Sequence, residues 1–173
     1  MARRFSPARG RRLTPYEQAI ERLAATRAGA WAFLHVLGPI DRRLLPLTHG
    51  RLSLAVGAPV GILETRGART GRPRRVPLLY VVDGESVILV GSNGGSRSDP
   101  AWLHNVRARD QTRFLCRERG WREYRARVTS GAERARCWDL ATDVYAGYRA
   151  YQARAGGREI PVVVLEPRVS AAR

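Results

Sequence analysis

A short turn rich in arginine and glycine leads directly into an apolar segment, in the stretch GARTGRPRRVPLLY that starts at Gly67. Its glycines allow positive φ angles and close approach of a ligand to the backbone. The side chains that can converge on phosphate or carboxylate oxygens are Arg69, Thr70 and Arg74. No GK[ST] follows, so the stretch is not a Walker loop. It indicates an anion site, with a charged hairpin loop on an arginine-rich surface as the alternative.

A second stretch, GSNGGSRSDPAWLHN, follows the apolar segment SVILV. Asp99 and Pro100 have the types expected at the N-cap and first turn of a short helix. Backbone N–H groups of a glycine-rich junction can face a ligand, and the helix N-terminus adds partial positive charge. We expect a ligand contact here, and an ordinary flexible connection is the alternative. His104 lacks a carboxylate at useful spacing and no GxSxG is present, so a hydrolase triad has no support.

Three tyrosines recur every third residue in VYAGYRAYQAR, at Tyr145, Tyr148 and Tyr151. On a helix this spacing forms one slowly drifting stripe. A stripe of this kind taken alone favours a place in the core. A buried tyrosine hydroxyl nevertheless needs a partner, and three together can line a cavity and position or protonate a substrate.

The residue pattern of the segments that must position these side chains is typical of a mainly β protein of the α+β class. Short β-like runs predict strands over 61–65, 74–82, 86–90, 112–117, 121–129 and 161–165, and REYRARV in the fifth of them alternates as a half-buried strand does. Asp83-Gly84 between two of them predicts a hairpin. Helices are predicted over 14–27, 30–37 (ending before Gly38-Pro39), 40–45, 100–107, 131–144 and 145–155. Together these elements predict a small antiparallel sheet or barrel with helices packed outside it.

The charge of the chain is strongly positive, with a formal net charge of +16 carried by arginine and no lysine. Residues 1–13 are rich in Arg, Pro and Gly and are predicted to form a disordered basic tail, followed by one domain over 14–173. Such a surface attracts nucleic acid, acidic lipid or an acidic small molecule. The aromatic residues are not interleaved with arginine in an RNP-like pattern and no helix-turn-helix is evident, so a specific nucleic-acid partner is not expected.

Cysteine and histidine usage predicts a reduced, cytoplasmic protein without a metal site. Cys116 and Cys137 lie in no ligand-spaced motif, and none of the three histidines is near them in sequence. The apolar run at 28–37 has no cleavage site after it and is read as non-secretory, and no segment is long enough to span a bilayer.

The three stretches occur in a fixed order within four longer segments, and this order resembles one known family. The segments are WAFLHVLGPIDRRLLPLTHGRLSLAVG, ILETRGARTGRPRRVPLLYVVDGESVILVGSNGG, DPAWLHNVRA and YAGYRAYQARAGGREIPVVVLEP, which together run from about residue 31 to 167. They resemble the deazaflavin-dependent nitroreductase and quinone reductase family, whose members use the 8-hydroxy-5-deazaflavin coenzyme F-420. The resemblance implies a six-stranded split β-barrel of the flavin-reductase, FMN-binding type, with N-terminal and peripheral helices.

The resemblance also implies roles for particular residues. The phosphate and polyglutamate part of the coenzyme would be held by Arg69, Thr70 and Arg74. The ring would be bordered by Pro77, Leu78, Leu79 and the backbone of Gly91, Ser92, Asn93, Gly94 and Gly95, with Trp102 and Asn105 supporting that wall. The acceptor pocket would be bordered by the catalytic residues Tyr145, Tyr148 and Tyr151.

The chain departs from the family pattern at Ala68, where a cation is usual, at Asn93, where a lysine is common, and at Leu79, where some members have tyrosine. Arg72 and Arg75 are candidates to replace the cation missing at Ala68.

The implied function is hydride transfer from the reduced coenzyme to a quinone, a nitroaromatic or a similar planar electrophile. An FMN-binding split-barrel flavoprotein is the main alternative, since the same loop would hold the phosphate of FMN. A basic nucleic-acid-binding protein is a lower alternative. The basic tail and first helix are also candidates for peripheral contact with an anionic membrane, which would place the protein at the inner face of that membrane. The sequence leaves the oligomeric state open, with a dimer as one possibility.

Overall fold

The computed structural model describes residues 26–32, 36–48 and 58–168, and a closed antiparallel barrel forms its centre. The strand order is β1-β2-β3-β6-β5-β4, and β4 pairs back onto β1. The strands are β1 (Val60–Arg66), β2 (Pro73–Asp83), β3 (Ser86–Val90), β4 (Gln111–Cys116), β5 (Gly120–Val128) and β6 (Val162–Pro167). All six predicted strands are thus confirmed, with ends displaced by no more than two residues. The predicted Asp83-Gly84 hairpin joins β2 to β3, with Asp83 opposite Ser86.

The longest strand, β2, shows how the barrel separates an inner from an outer face. Successive side chains of a strand point to opposite faces of the sheet. Tyr80 therefore lies inside the barrel, where its ring meets that of Phe114 edge-on with centroids 5.4 Å apart. Val81, the next residue, packs outside against the helices. Burial on both faces fixes the register of β2, because a slip of one residue would exchange the two sets of side chains.

Five helices surround the barrel in the described residues: α1 (Arg27–Ala32), α2 (Gly38–Leu47), α3 (Ala101–Ala108), α4 (Gly131–Val144) and α5 (Gly147–Arg154). One turn of 3₁₀ helix, Asn93–Gly95, follows β3. Helices α4 and α5 pack over β2, β3 and β6, whereas α2 covers β1 and β2 through the fully buried Leu45. The apolar core consequently has two parts, one inside the barrel and one between the barrel and its helices.

The N-terminal helices differ from the prediction in one instructive place. Gly38-Pro39 was predicted to end a helix, but α2 begins at Gly38 and carries Pro39 in its first turn. Proline suits that position, since its fixed φ is helical and its missing N–H would have no partner in the helix. The helix predicted over 30–37 overlaps α1, at Arg27–Ala32, and residues 36–37 are also helical, whereas residues 33–35 lie outside the described residues. The predicted tail at 1–13 and the helix predicted over 14–27 lie outside the described residues, apart from Thr26 and Arg27.

Two kinds of feature are not found in residues 26–32, 36–48 and 58–168. No helix there has the length and apolar character that crossing a bilayer requires. No three His, Cys, Asp or Glu side chains are grouped there as ligands for a metal ion. Cys116 and Cys137 are both buried free thiols.

Candidate functional site

The cationic loop, residues 67–72, is a closed turn between β1 and β2. The N–H of Gly67 donates to the carbonyl of Arg72 at 2.9 Å, and the N–H of Gly71 donates to the carbonyl of Gly67 at 2.8 Å. Gly71 has a φ of 67°, a conformation that L side chains rarely adopt. The turn is therefore held by its own backbone, and the side chains of its middle residues are exposed.

Several exposed arginines in and beside this loop have no acidic partner among the described residues, including Arg69, Arg72 and Arg74. The next arginine, Arg75, binds Glu64 at 2.7 Å and lies 5.4 Å from the ring centroid of Trp121. Arg74 and Arg75 face opposite sides of β2 because side chains alternate along a strand. Arg75 is thus engaged by Glu64 and Trp121, whereas Arg69, Arg72 and Arg74 leave an excess of positive charge at the loop.

Helix α3 fixes the cationic loop in place. The side-chain oxygen Oδ1 of Asn105 accepts the N–H of Ala68 at 2.9 Å, and its Nδ2 donates to Oγ1 of the buried Thr65 at 3.1 Å. Arg109, at the end of α3, donates from Nη1 to the carbonyl of Gly67 at 3.2 Å. Asn105 thus contacts the cationic loop, although the sequence suggested that it supports the wall at the glycine-rich turn.

The glycine-rich turn, residues 91–96, lies against α5. Gly94 and Gly95 have φ values of 62° and 81°. A Cβ on Gly95 would lie 2.7 Å from Cγ of Arg154 and 2.9 Å from the carbonyl oxygen of Tyr151, so only glycine fits there. Arg154 also donates from Nε to the carbonyl of Gly94 at 3.1 Å. The turn is therefore in direct contact with the helix that carries two of the three tyrosines.

The prediction that Asp99 caps α3 is wrong. The helix begins at Ala101 with Pro100 as its N-cap residue, and no side chain caps it. The carboxylate of Asp99 instead binds Arg107 at 2.6 Å and Arg158 at 2.8 Å. Two guanidinium partners compete successfully with the backbone N–H groups, because charge-assisted hydrogen bonds are stronger than neutral ones.

The residues predicted to border the ring fall on different faces of the barrel wall. Pro77 and Leu79 lie on the outer face of β2, where Leu79 packs against the cluster that contains the tyrosines. The side chain of Leu78 faces the barrel interior, as Tyr80 does. Trp102 is buried in that same interior cluster. Of these side chains, Leu79 is thus the one that packs against the tyrosine-containing cluster. Leu78 and Trp102 lie on the interior side of the barrel wall.

The three tyrosines meet as one cluster, although Tyr145 lies between α4 and α5 and not on a shared helix. Their ring centroids are 5.1 to 6.1 Å apart in edge-to-face contacts. The hydroxyls of Tyr145 and Tyr151 are 3.1 Å apart and hydrogen-bonded. The hydroxyl of Tyr148 bonds no other described residue, although this side chain is only 5% exposed.

Burial keeps the phenols of Tyr148 and Tyr151 neutral. Desolvation raises the pKa of Tyr148 well above its ordinary value, and the neighbouring Tyr151 raises it further. Desolvation also raises the pKa of Tyr151, against the opposing effects of the hydrogen bond with Tyr145 and the charge of Arg154. At neutral pH Tyr148 and Tyr151 therefore keep their protons and can donate hydrogen bonds.

Helix α3 connects the cationic loop to the glycine-rich turn. Its N-terminal end is joined to the glycine-rich turn through Asp99 and Arg158, and its C-terminal part is joined to the cationic loop through Asn105 and Arg109. An eight-residue helix is about 12 Å long at 1.5 Å per residue. The arrangement suits an elongated ligand with an anionic group at one end and a planar group at the other.

Sequence reasoning missed the arginines that hold these loops, Arg109, Arg154 and Arg158. Each bonds backbone carbonyls of a segment far away in sequence, such as Ser92, which lies 66 residues before Arg158. In a chain with 31 Lys+Arg residues, no local signal distinguishes these from surface arginines.

Comparison with known proteins agrees with this geometry. The profile of the F-420H(2)-dependent quinone reductases matches residues 47–167. An F-420H(2)-dependent quinone reductase of Mycobacterium tuberculosis is 34% identical over 125 residues, covering 70% of this chain and 83% of that protein.

Two solved structures share the architecture. An F-420-H2-dependent reductase, FDR-A, is 33% identical with a TM-score of 0.58, covering 62% of this chain and 94% of its own. A second structure, described as a domain-swapped dimer, is 32% identical with a TM-score of 0.61, covering 74% and 95%. The predicted split β-barrel of the flavin-reductase type is thereby confirmed. The chain belongs to the F-420H(2)-dependent quinone reductase family.

Proposed function

We propose that this protein transfers a hydride from reduced coenzyme F-420 to a quinone, a nitroaromatic or a similar planar electrophile. The observation that carries the proposal is the cationic loop, which carries three arginines without acidic partners. Helix α3 connects this loop to the glycine-rich turn, and the turn lies beside the tyrosines. An acidic coenzyme with a planar ring fits this arrangement of charge and backbone, and membership of the family supports it.

The cationic loop holds the phosphate and the acidic tail of the coenzyme. Arg69 and Arg74 supply exposed guanidinium groups, which suit phosphate and carboxylate oxygens. Oγ1 of Thr70 accepts the N–H of Arg72 at 3.4 Å, so the hydroxyl proton remains available for a phosphate oxygen. Because Asn105 fixes the loop before binding, little conformational entropy is lost when the anion arrives.

The glycine-rich turn and β2 hold the ring. The turn, from Gly91 through Ser92, Asn93, Gly94 and Gly95, offers backbone N–H groups, and Pro77 and Leu79 offer an apolar edge. Leu78 and Trp102 support this wall from the barrel interior, which keeps it rigid and dry. When bound, the reduced coenzyme supplies a transferable hydride at C5 of its deazaflavin ring. The protein has to orient that carbon against the acceptor and exclude water.

The tyrosine cluster binds the acceptor. Tyr145 and Tyr151 are hydrogen-bonded to each other, which leaves the hydroxyl of Tyr148 as the donor best placed to serve a ligand. A neutral phenol that donates to a quinone oxygen stabilises the negative charge that develops there during hydride transfer. The aromatic edges around it suit a flat, apolar ring.

The test is to mix the purified protein with reduced F-420 and menadione and to follow oxidation of the coenzyme. A matched titration measures binding of FMN, which is the main alternative ligand. We expect coenzyme oxidation that saturates with menadione, and FMN binding that is much weaker than binding of F-420. Tight FMN binding without any oxidation of the deazaflavin would overturn the proposal.

A cytoplasmic location with peripheral contact to an anionic membrane is a further part of this proposal. The exposed apolar side chains Trp31, Val36, Ile40 and Leu47 on and beside α1 and α2 support it, as do the exposed Arg42 and Arg43. Flotation with vesicles containing anionic lipid, compared for the full chain and a chain starting at Thr14, measures the contribution of the tail. Equal flotation of both chains rules out a tail anchor, and absence of flotation rules out membrane contact.

A dimer is also proposed, supported by the domain-swapped dimer among the similar structures. Light scattering on the purified protein tests it, and the mass of a single chain at micromolar concentration would contradict it.

A further inference from the structure

The connection between α5 and β6 carries an arginine whose side chain reaches back to the glycine-rich turn. Nη1 of Arg158 donates to the carbonyl of Gly91 at 3.2 Å, and its Nη2 donates to the carbonyl of Ser92 at 3.0 Å. Nε and Nη2 donate to the carbonyl of Ser96 at 3.2 and 2.9 Å. The same guanidinium binds Asp99 at 2.8 Å, and both side chains are only 15% exposed. One side chain therefore holds the start of the turn, its end and the segment that leads into α3.

The turn needs such support because its backbone is unfavourable. Asn93, Gly94 and Gly95 have positive φ values of 48°, 62° and 81° in succession. Positive φ is uncommon for a residue other than glycine, so Asn93 adds strain to the turn. A guanidinium suits the task, since its planar fork presents five N–H donors in fixed directions, whereas a lysine ammonium is a compact point charge.

The contacts of Arg158 also set the direction of the N–H groups of the turn. A peptide unit is planar and trans, so its C=O and N–H point to opposite sides. The carbonyls of Gly91 and Ser92 point at Arg158, and the N–H groups of Ser92 and Asn93 in the same two peptide units consequently point away from it. Neither N–H donates to another residue in the part of the chain that the structure describes. They form a pair of adjacent backbone donors at the place assigned to the coenzyme ring.

We propose that Arg158 is a positioning residue, which holds the glycine-rich turn so that the N–H groups of Ser92 and Asn93 bind polar atoms on the edge of the deazaflavin ring. This inference rests on the proposed function for its ligand. Asp99 assists by neutralising the guanidinium. This allows the cation to lie in a largely buried position, where it does not compete with the cationic loop for the phosphate.

The test compares Arg158→Lys and Arg158→Gln with a matched control, Arg134→Lys. Arg134 is also 15% exposed, donates to the carbonyl of Ile160 at 2.8 Å and binds Glu159 at 3.2 Å, but it does not contact the turn. The measurements are the Kd for oxidised F-420, the KM for menadione, the melting temperature, and hydrogen exchange of the peptide covering residues 91–98 in the protein without coenzyme.

We expect both Arg158 variants to raise the Kd for F-420 about tenfold or more and to speed hydrogen exchange in residues 91–98, with the KM for menadione little changed. Arg158→Lys should recover melting temperature through its ion pair with Asp99 and yet recover little affinity, because an ammonium has three donors and the one that binds Asp99 leaves too few for the three carbonyls. The control should lower the melting temperature comparably and leave the Kd and the exchange unchanged.

Two results overturn the inference while leaving the proposed function intact. One is a wild type that binds F-420 together with Arg158 variants that bind it equally well. The other is a loss of affinity that Arg134→Lys reproduces at equal loss of melting temperature. A wild type that does not bind F-420 overturns the proposed function and the ligand assigned to the turn. In that case, if hydrogen exchange of residues 91–98 is the same in Arg158→Gln as in the wild type, the positioning role itself is also overturned.

Discussion

At the scale of single residues, the tyrosine cluster contains two hydroxyls that bond each other and a third that is suited to chemistry. Tyr145 and Tyr151 satisfy each other at 3.1 Å. Tyr148 is as deeply buried, but its hydroxyl bonds no other described residue. Because the hydroxyls of Tyr145 and Tyr151 bond each other, that of Tyr148 is the one left to donate to a ligand.

Tyr148→Phe should therefore impair turnover and spare the fold. Loss of one neutral hydrogen bond to the developing quinone oxyanion predicts a fall in kcat/KM for menadione of about tenfold, while the melting temperature stays unchanged or rises. Tyr145→Phe is the matched control: it breaks the bond to Tyr151 and should cost about 1 kcal/mol of stability with a smaller kinetic effect. Steady-state kinetics and thermal melts check both variants. The assignment fails if the two variants exchange these effects.

At the scale of elements, the turn between β1 and β2 shows how alternation along a strand decides which cations remain available. Arg74 and Arg75 are adjacent in sequence but face opposite sides of β2, and Arg75 is the one that pairs with Glu64, so we assign Arg74 to the proposed anion site. The sequence predicted the strand and the loop correctly because both signals are local. It could not predict that Glu64 engages Arg75, or that Asp99 binds two arginines instead of capping α3, since these contacts are made across the fold.

Removing charge from the loop should weaken coenzyme binding selectively. Arg69→Ala or Arg74→Ala should raise the Kd for F-420 about tenfold or more, because a charge-assisted hydrogen bond to phosphate contributes about 1.5–3 kcal/mol. The effect should shrink as salt screens the wild-type interaction. Arg75→Ala, which removes the same charge from the opposite face, should change the Kd little. Fluorescence titration at two salt concentrations measures all three, and equal losses for Arg75→Ala and Arg74→Ala would contradict the assignment.

At the scale of the whole molecule, the barrel followed from sequence patterns more completely than the site did. Short β-like runs and the Asp83-Gly84 turn predict the strands because each signal lies within a few residues. Closure of the barrel by pairing of β1 with β4 involves segments about fifty residues apart, which only tertiary contacts specify. The same holds for Arg158, whose function depends on where the chain returns after α5.

Burial inside and outside the barrel also predicts how stability depends on pH. Desolvation is the largest effect that raises the pKa of Tyr80, Tyr124, Tyr148 and Tyr151, and the same effect raises the pKa of the Cys116 and Cys137 thiols. The unfolded chain therefore releases these protons at lower pH than the folded protein does, which makes stability fall as pH rises. The loss should begin near pH 8.5 with the thiols and steepen above about pH 10, by up to about 1.4 kcal/mol per pH unit for each phenol.

Urea unfolding at several pH values between about 8 and 11 measures this dependence. Tyr80→Phe should flatten the curve above about pH 10, since one titrating phenol is removed. A free energy of unfolding that stays constant across this range would show that the phenols are not desolvated in the folded protein.

The central claim is that the cationic loop and the glycine-rich turn, related by α3, are two ends of one coenzyme site. A crystal structure of the protein with oxidised F-420 tests it most directly. We predict that the phosphate lies within hydrogen-bonding distance of Arg69, Thr70 and Arg74, and that the deazaflavin ring lies against Gly91–Gly95 with its C5 facing Tyr148. A phosphate bound away from residues 67–74, or a ring bound away from the glycine-rich turn, would contradict the account.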